Sequence, residues 1–346
     1  MNVGYGASGG TGDAQYTEGR NPALQCRPSN PPRRCVVKTL CAGLAALLAL
    51  TLDVQADDLP VSPFGADDTL GAVNRLSPAG VLAAVKLVKT GKTYPLGVVT
   101  GPDSPAYPPR YYKMTILQLD DGAGVPVGDN HLTGNDDFMI TYMGVGSQID
   151  GLGHVGVDHH YFNNTPASDF VKVTGLTKFS TSDLPPIVTR GVLLDIAKLA
   201  GKAILDEGTA INRAEIEAAC QAQGVTIGEG DVVLLHTGWM NMAERDAARF
   251  MKGEPGLGVD GAKYLASLGI VAVGADSFAV ETIPFETQGQ FFPVHQEMLA
   301  KNGIYLLENM DTRELARDGV SEFLFVLGQP RFAGSVQAII NPVAIR

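Results

Sequence analysis

The stretch "GDVVLLHTGW", residues 230–239, constrains the fold more than any other part of the chain. Its centre is a continuous apolar run with no polar alternation, so it offers no face to water. A strand of this kind is buried on both sides, as in a parallel sheet covered by helices. "RGVLLDIA", "IVAVGAD", "IYLLEN" and "EFLFVLG" predict further strands, while "GAKYLASLG" and "PVHQEMLAKNG" between them predict helices. Two more helices carry explicit punctuation. In "LSPAGVLAAVKLVKTGK", Ser77 caps the start, Pro78 suits the first turn and Gly91 the stop. In "INRAEIEAACQAQG", Asn212 caps, Glu215 follows three residues later and Gly224 ends the helix. Strand-like segments separated by turn residues occupy residues 94–150. With no repeat or low-complexity linker after residue 57, residues 57–346 are expected to form one mixed α/β domain.

The beginning of the chain has a different character. Residues 1–32 are rich in Gly, Pro, Asn and Ser and predict a disordered extension. Arg33, Arg34 and Lys38 then precede an apolar run from Thr39 to Leu52, which ends in Val54-Gln55-Ala56. This is the pattern of a signal peptide with cleavage after Ala56, and the arginine pair is compatible with a twin-arginine signal. The expectation is an exported protein, periplasmic or secreted. The apolar run is too short to cross a bilayer comfortably, so no stable membrane span is expected in the mature chain. Cys26, Cys35 and Cys41 precede the cleavage point, which leaves Cys220 without an internal disulfide partner. A net charge of -11 with no basic cluster argues against nucleic acid as a partner.

Three predicted strands end in a polar residue, His236, Asp276 and Glu308, and in open α/β sheets ligands bind beyond such carboxyl ends. A further polar group stands in "GSQIDGLGH", Gly146 to His154. If "GSQID" closes a strand, Gln148 and Asp150 point to one side. Gly151 and Gly153 then allow a tight turn that folds His154 back toward the carboxylate. Carboxylate and imidazole are ordinary ligands of zinc or manganese, and an amide oxygen is a weaker one. The spacing alone reads more readily as an Asx-type turn with a hydrogen-bonded histidine. "FPVHQEMLAKNGIYLLENM" adds His295 at a helix start and Glu308 at the end of the next strand. Helix followed by strand returns the chain to the same sheet edge, where all of these residues can converge.

These landmarks resemble the cyclase family of metal-dependent hydrolases, which includes bacterial kynurenine formamidase and isatin hydrolase. The resemblance runs from about Ser62 to Ile345, through "FGADDTLGAVNRLSP", "GSQIDGLGH", "RGVLLDIA", "GDVVLLHTGW", "VAVGADS", "VHQEMLAKNGIYLLENM" and "INPVAI". It implies a mixed β-sheet sandwich flanked by helices, of the swivelling β/β/α type. It also implies a divalent metal, Mn2+ or Zn2+, held by Asp150, His154, His295 and Glu308. The sequence departs from the family's His-x-Gly-Thr-His-x-Asp-x-x-x-His signature. Gly144 and Gln148 stand at the two metal-binding histidines, and Ser147 replaces the threonine. Gln148 is left as an oxygen ligand or an oxyanion donor.

The implied chemistry is attack of metal-activated water on the carbonyl of an amide, formamide, lactam or lactone in a small cyclic or aryl substrate. Asp150, His154 and Gln148 are the catalytic candidates, with His154 moving a proton to the leaving group. Ser147, His236, His160, Tyr161 and Trp239 are the pocket candidates. His236 is equally readable as a structural histidine, and Trp239 as core. The resemblance also implies a homodimer whose sites borrow residues across the interface. Because two family histidines are missing, an exported small-molecule binder without catalysis is the alternative.

Overall fold

The computed structural model describes residues 59–118 and 124–346. The expected extension, signal peptide and cleavage point after Ala56 lie outside the described residues. The described residues form one compact unit, and no helix among them is long and apolar enough to cross a membrane.

A nine-stranded mixed sheet organises the chain. Four parallel strands form its middle in the order Ile187–Asp195, Val232–His236, Ala272–Ala275 and Tyr305–Glu308. Every residue of the last three is buried, as continuous apolar runs require. On one side Ile187–Asp195 continues antiparallel into Glu322–Leu327, Val343–Ile345 and Thr93–Pro95. On the other, Tyr305–Glu308 pairs antiparallel with Gln148–Asp150, which pairs with the edge strand Gln337–Ile339. Helices cover the sheet and close a core that includes Ile149, Leu193, Leu234, Val273, Leu306 and Phe325.

The helix punctuation is largely as expected. Gly80 N–H donates to Ser77 Oγ at 3.1 Å at the start of Pro78–Val85. Asn212 N–H donates to Glu215 Oε2 at 2.9 Å at the start of Arg213–Gln223, and Gly224 ends that helix with φ 67°. Asn212 does a second job, because its Oδ1 accepts Gly261 N–H at 3.1 Å and caps the neighbouring helix Val259–Ser267. The helix that begins at Pro78 stops at Val85, short of Gly91. Leu87 and Val88 there donate three residues back, to Ala84 and Val85, and tighten the last turn into 3-10 geometry.

One element stands apart. Strands Tyr112–Gln118 and Asn135–Thr141 pair only with each other among the described residues. They expose Met114, Ile116, Leu117, Phe138, Met139 and Ile140.

Candidate metal centre

Register builds this site. In the sheet Gln148 lies opposite Glu308, and Asp150 lies opposite Gln337. Cross-strand neighbours share a face, so the four side chains meet. Gln148 Nε2 donates to Glu308 Oε2 at 2.6 Å and to Asp150 Oδ1 at 3.1 Å. Gln337 Nε2 donates to the same Asp150 oxygen at 2.7 Å. Gln148 and Asp150 therefore do point together, as alternation along the strand requires.

His154 comes back toward this face through a turn closed by its own N–H on Gly151 O at 3.0 Å. Gly151 serves by close approach and not by an unusual φ, since a Cβ there would lie 2.7 Å from Val336 O and 2.9 Å from Thr181 Cγ2. His154 Nε2 stands 3.9 Å from Asp150 Oδ2.

His295 arrives from the opposite direction. It closes the short helical turn Pro293–His295, which runs on as a π-helical segment, Gln296–Lys301. Such segments are frequent at functional sites. Glu281 fixes this histidine. Its carboxylate accepts Val294 N–H and His295 N–H at 3.3 and 3.2 Å, and Oε1 lies 2.5 Å from His295 Nδ1. With Nδ1–H donated to Glu281, the free ring nitrogen is Nε2, and it faces Asp150 Oδ2 at 3.6 Å and Glu308 Oε1 at 3.3 Å. A carboxylate behind a ligand histidine orients the ring and raises its basicity.

The ligand atoms of Asp150, His154 and His295 all lie within 4.8 Å of one another. Asp150 Oδ2 and Gln148 Oε1 are buried with no hydrogen-bond partner among the described residues. Buried polar atoms are normally satisfied, and two idle acceptors in one cluster beside two imidazole nitrogens form a donor set suited to a cation. Glu308 borders this trio through His295 and Gln148.

The electrostatics are those of charges crowded out of water. Burial works against the Asp150 carboxylate, but His154, His295 and Gln337 outweigh it and hold its pKa well below the ordinary range. Burial, with Asp150 adding to it, pushes Glu308 up to about 7. Burial opposes the charged form of His295, yet Asp150, Glu281 and Glu308 carry its pKa well above the usual imidazole value. His154 moves the other way, lowered chiefly by burial.

The pocket candidates are engaged in different ways. Ser147 is fully buried; its Oγ donates to Asn309 O at 2.5 Å and accepts Val98 N–H at 2.8 Å. His236 ends its strand at the expected sheet edge, but Nδ1 lies 2.7 Å from Thr312 Oγ1. It lines a separate cavity of about 550 Å³ with Asp195, Lys198, Asn241 and Arg313. Trp239 is core, stacked on Phe250 in a second apolar cluster. His160 is exposed, with Nδ1 3.0 Å from Asp158 O, and Tyr161 packs edge-on against Phe170. Glu281 and Gln337 were absent from the sequence reading. A glutamate in "AVETIPF" and a glutamine in "SVQAII" are the signals that were there to find, polar residues set in apolar surroundings.

Comparison with known proteins agrees with this architecture. The Cyclase family model matches residues 92–282. A crystal structure described as a novel cyclase superposes with a TM-score of 0.75 at 26% identity, covering 84% of this chain and 100% of its own. An isatin hydrolase bound to the product analogue thioisatinate shares the fold at 18% identity and a TM-score of 0.54, covering 78% of this chain and 98% of its own. Isatin hydrolase A from Ralstonia solanacearum does so at 17% identity and 0.55, with the same coverage of 78% and 98%. No curated protein matches the sequence.

Proposed function

The chain belongs to the Cyclase family, and from that premise we propose that it is a metal-dependent hydrolase. Its target is a C–N bond of an amide, formamide or lactam, or a lactone, in a small cyclic or aryl substrate. One observation carries the reading. The ligand atoms of Asp150, His154 and His295 converge within 4.8 Å, and the facing Asp150 oxygen has no hydrogen-bond partner among the described residues.

Those three residues would hold a divalent ion, manganese or zinc, with Glu308 and Gln148 at its margin. When bound, such an ion polarises a carbonyl and lowers the pKa of water. The chain's own residues supply the rest. Glu281 selects the His295 tautomer that leaves Nε2 free. The Gln148 amide nitrogen is already committed to two carboxylates, so this residue has a carbonyl oxygen to offer and not an oxyanion donor. His154 has a side chain 22% exposed, against 3% for His295 and 0% for Asp150. Burial lowers its pKa and so favours the neutral ring, the form that would ligate the ion through one nitrogen and leave the other to carry a proton.

The two isatin hydrolases on this fold make an isatin-like lactam the first substrate to try. A homodimer belongs to the same reading. A two-stranded ribbon with apolar side chains exposed is marginal alone, and a second copy would cover it. Export belongs to it too, resting on the segment from Arg33 to Ala56. The deciding measurement is metal content per purified chain, followed by turnover on a lactam, formamide and lactone panel. About one ion per chain, with turnover that Asp150→Ala abolishes, is the expected result. A chain that takes up neither manganese nor zinc from excess overturns the reading, and stoichiometric binding without turnover would then make it a small-molecule binder.

A further inference from the structure

Gly144 is buried, and the resemblance puts a metal-binding histidine at its position. The space that such a side chain would use is filled. A Cβ on Gly144 would lie 2.7 Å from Arg110 Nη1 and 2.9 Å from Arg110 Cζ. The guanidinium rests on bare backbone and donates from Nη1 to Gly144 O at 3.1 Å. Only a glycine allows this approach.

That bond occupies one of five donors. Among the described residues no carboxylate lies within ion-pair distance of Arg110, although the chain carries 37 acidic residues against 26 basic ones. Two other half-buried arginines show the usual pairing. Arg190 meets Asp231 and Glu322, and Arg313 meets Asp311 and Glu244. Arg110 is half-buried too, yet among the described residues its fork meets no carboxylate.

The fork is near the metal centre. After burial and Asp150, which dominate, the Arg110 charge still acts on both His154 and Glu308. The same turn brings Tyr107 close, since Arg110 N–H donates to Tyr107 O at 2.8 Å. The Tyr107 phenol is pushed up to about 12, first by burial and then by Glu254 and Glu308. A half-buried planar cation with free donors beside a hydrolytic centre matches a carboxylate, which such a fork can bind through two parallel bonds.

We propose that Arg110, seated against the bare backbone of Gly144, determines specificity at this site by binding a carboxylate on the substrate. The substrate is then an anionic amide, lactam or lactone. Its assignment as substrate rests on the hydrolase reading above; the anion site itself does not.

Benzoate is a suitable probe, titrated calorimetrically into the whole chain, metal-free and manganese-loaded, with metal content measured alongside. Arg110→Gln is expected to weaken benzoate binding by at least about tenfold, since a hydrogen-bonded charge is lost, with metal per chain unchanged. Gly144→Ala keeps the charge but displaces the guanidinium, and is expected to weaken it as well. It tests the same point if the first variant fails to fold. Arg110→Lys, which lacks the fork, is expected to recover only part of the affinity. Benzoate that fails to bind the unaltered chain, or binds it and both variants equally, overturns the inference even if metal and turnover are found. Benzoate binding that depends on Arg110 in a chain that takes up no metal upholds the anion site and removes the hydrolase reading.

Discussion

Asp276 follows the strand Ala272–Ala275, and Asp150 ends the strand Gln148–Asp150 in the same sheet; neither exposes any surface. Their hydrogen bonding differs in kind. Asp276 Oδ1 accepts Thr237 N–H at 2.9 Å and Thr237 Oγ1–H at 2.6 Å, and Oδ2 accepts Gly238 N–H at 2.8 Å. His236 stands 3.3 Å from the same Oδ2. Asp150 has two amide donors on Oδ1 and none on Oδ2, which instead faces two imidazole nitrogens. A buried carboxylate whose oxygens are all answered fastens loops. One that keeps an oxygen idle beside ligand nitrogens is held ready for something the chain does not contain.

The largest effects should separate these two aspartates. Asp150→Ala is expected to take metal content from about one ion per chain to none and to abolish turnover, because in the proposed site this carboxylate would supply a ligand oxygen. Asp276→Ala should leave three donors and His236 unanswered in the interior and cost on the order of 3 kcal/mol of stability. Urea unfolding measures that cost, while the folded fraction should keep its metal. If Asp276→Ala loses metal at unchanged stability, the contrast fails.

A smaller effect is expected one residue back from the ligands. Glu281→Gln keeps the shape but removes the charge behind His295, and metal affinity should fall about 10- to 100-fold. Competition with a chelator of known affinity reads this directly. An unchanged affinity would mean that Glu281 only caps the helix that begins at Pro293.

Proton competition gives the next contrast. The His295 pKa is raised by folding, so its contribution to the metal-free fold is present below the ordinary value of about 6.5 and is lost as pH rises through the folded pKa. Glu308, raised to about 7, is uncharged on the acid side of that value. A cation needs the neutral ring and the ionised carboxyl. The gain in Tm from added manganese should therefore grow from about pH 6 to about pH 8, with proton release on binding. A gain that is flat or falls with pH would show that neither group faces the ion.

Much of this contrast was legible before the structure, and the reasons for the rest are specific. The buried strands and the helix starts at Ser77 and Asn212 are local matters of pattern and capping. Asp150, His154 and His295 come together as spacing and element order suggested. His236 shows the limit, for it ends a strand at the same edge as Glu308, yet its ring turns to Thr312. Element order gives the edge of a sheet but not the direction of a side chain. Gln337 was invisible because its role depends on register with a strand 187 residues away. Arg110 was invisible because its place depends on a side chain that position 144 lacks.

Ser147 offers the finest test, since it sits in the signature yet behaves like Asp276. Its hydroxyl donates to Asn309 O and accepts Val98 N–H, which ties the start of the ligand strand to the residue after Glu308 and to the loop after Thr93–Pro95. Ser147→Ala leaves a carbonyl and an N–H unpaired in the interior and should cost about 1–3 kcal/mol. Metal content should stay the same, because no proposed ligand atom is removed, and KM should move little, because the hydroxyl is fully buried and its proton is committed to Asn309 O. Full stability with a KM raised by about tenfold, equivalent to about 1.4 kcal/mol of binding, would move Ser147 from the fastening class to the pocket.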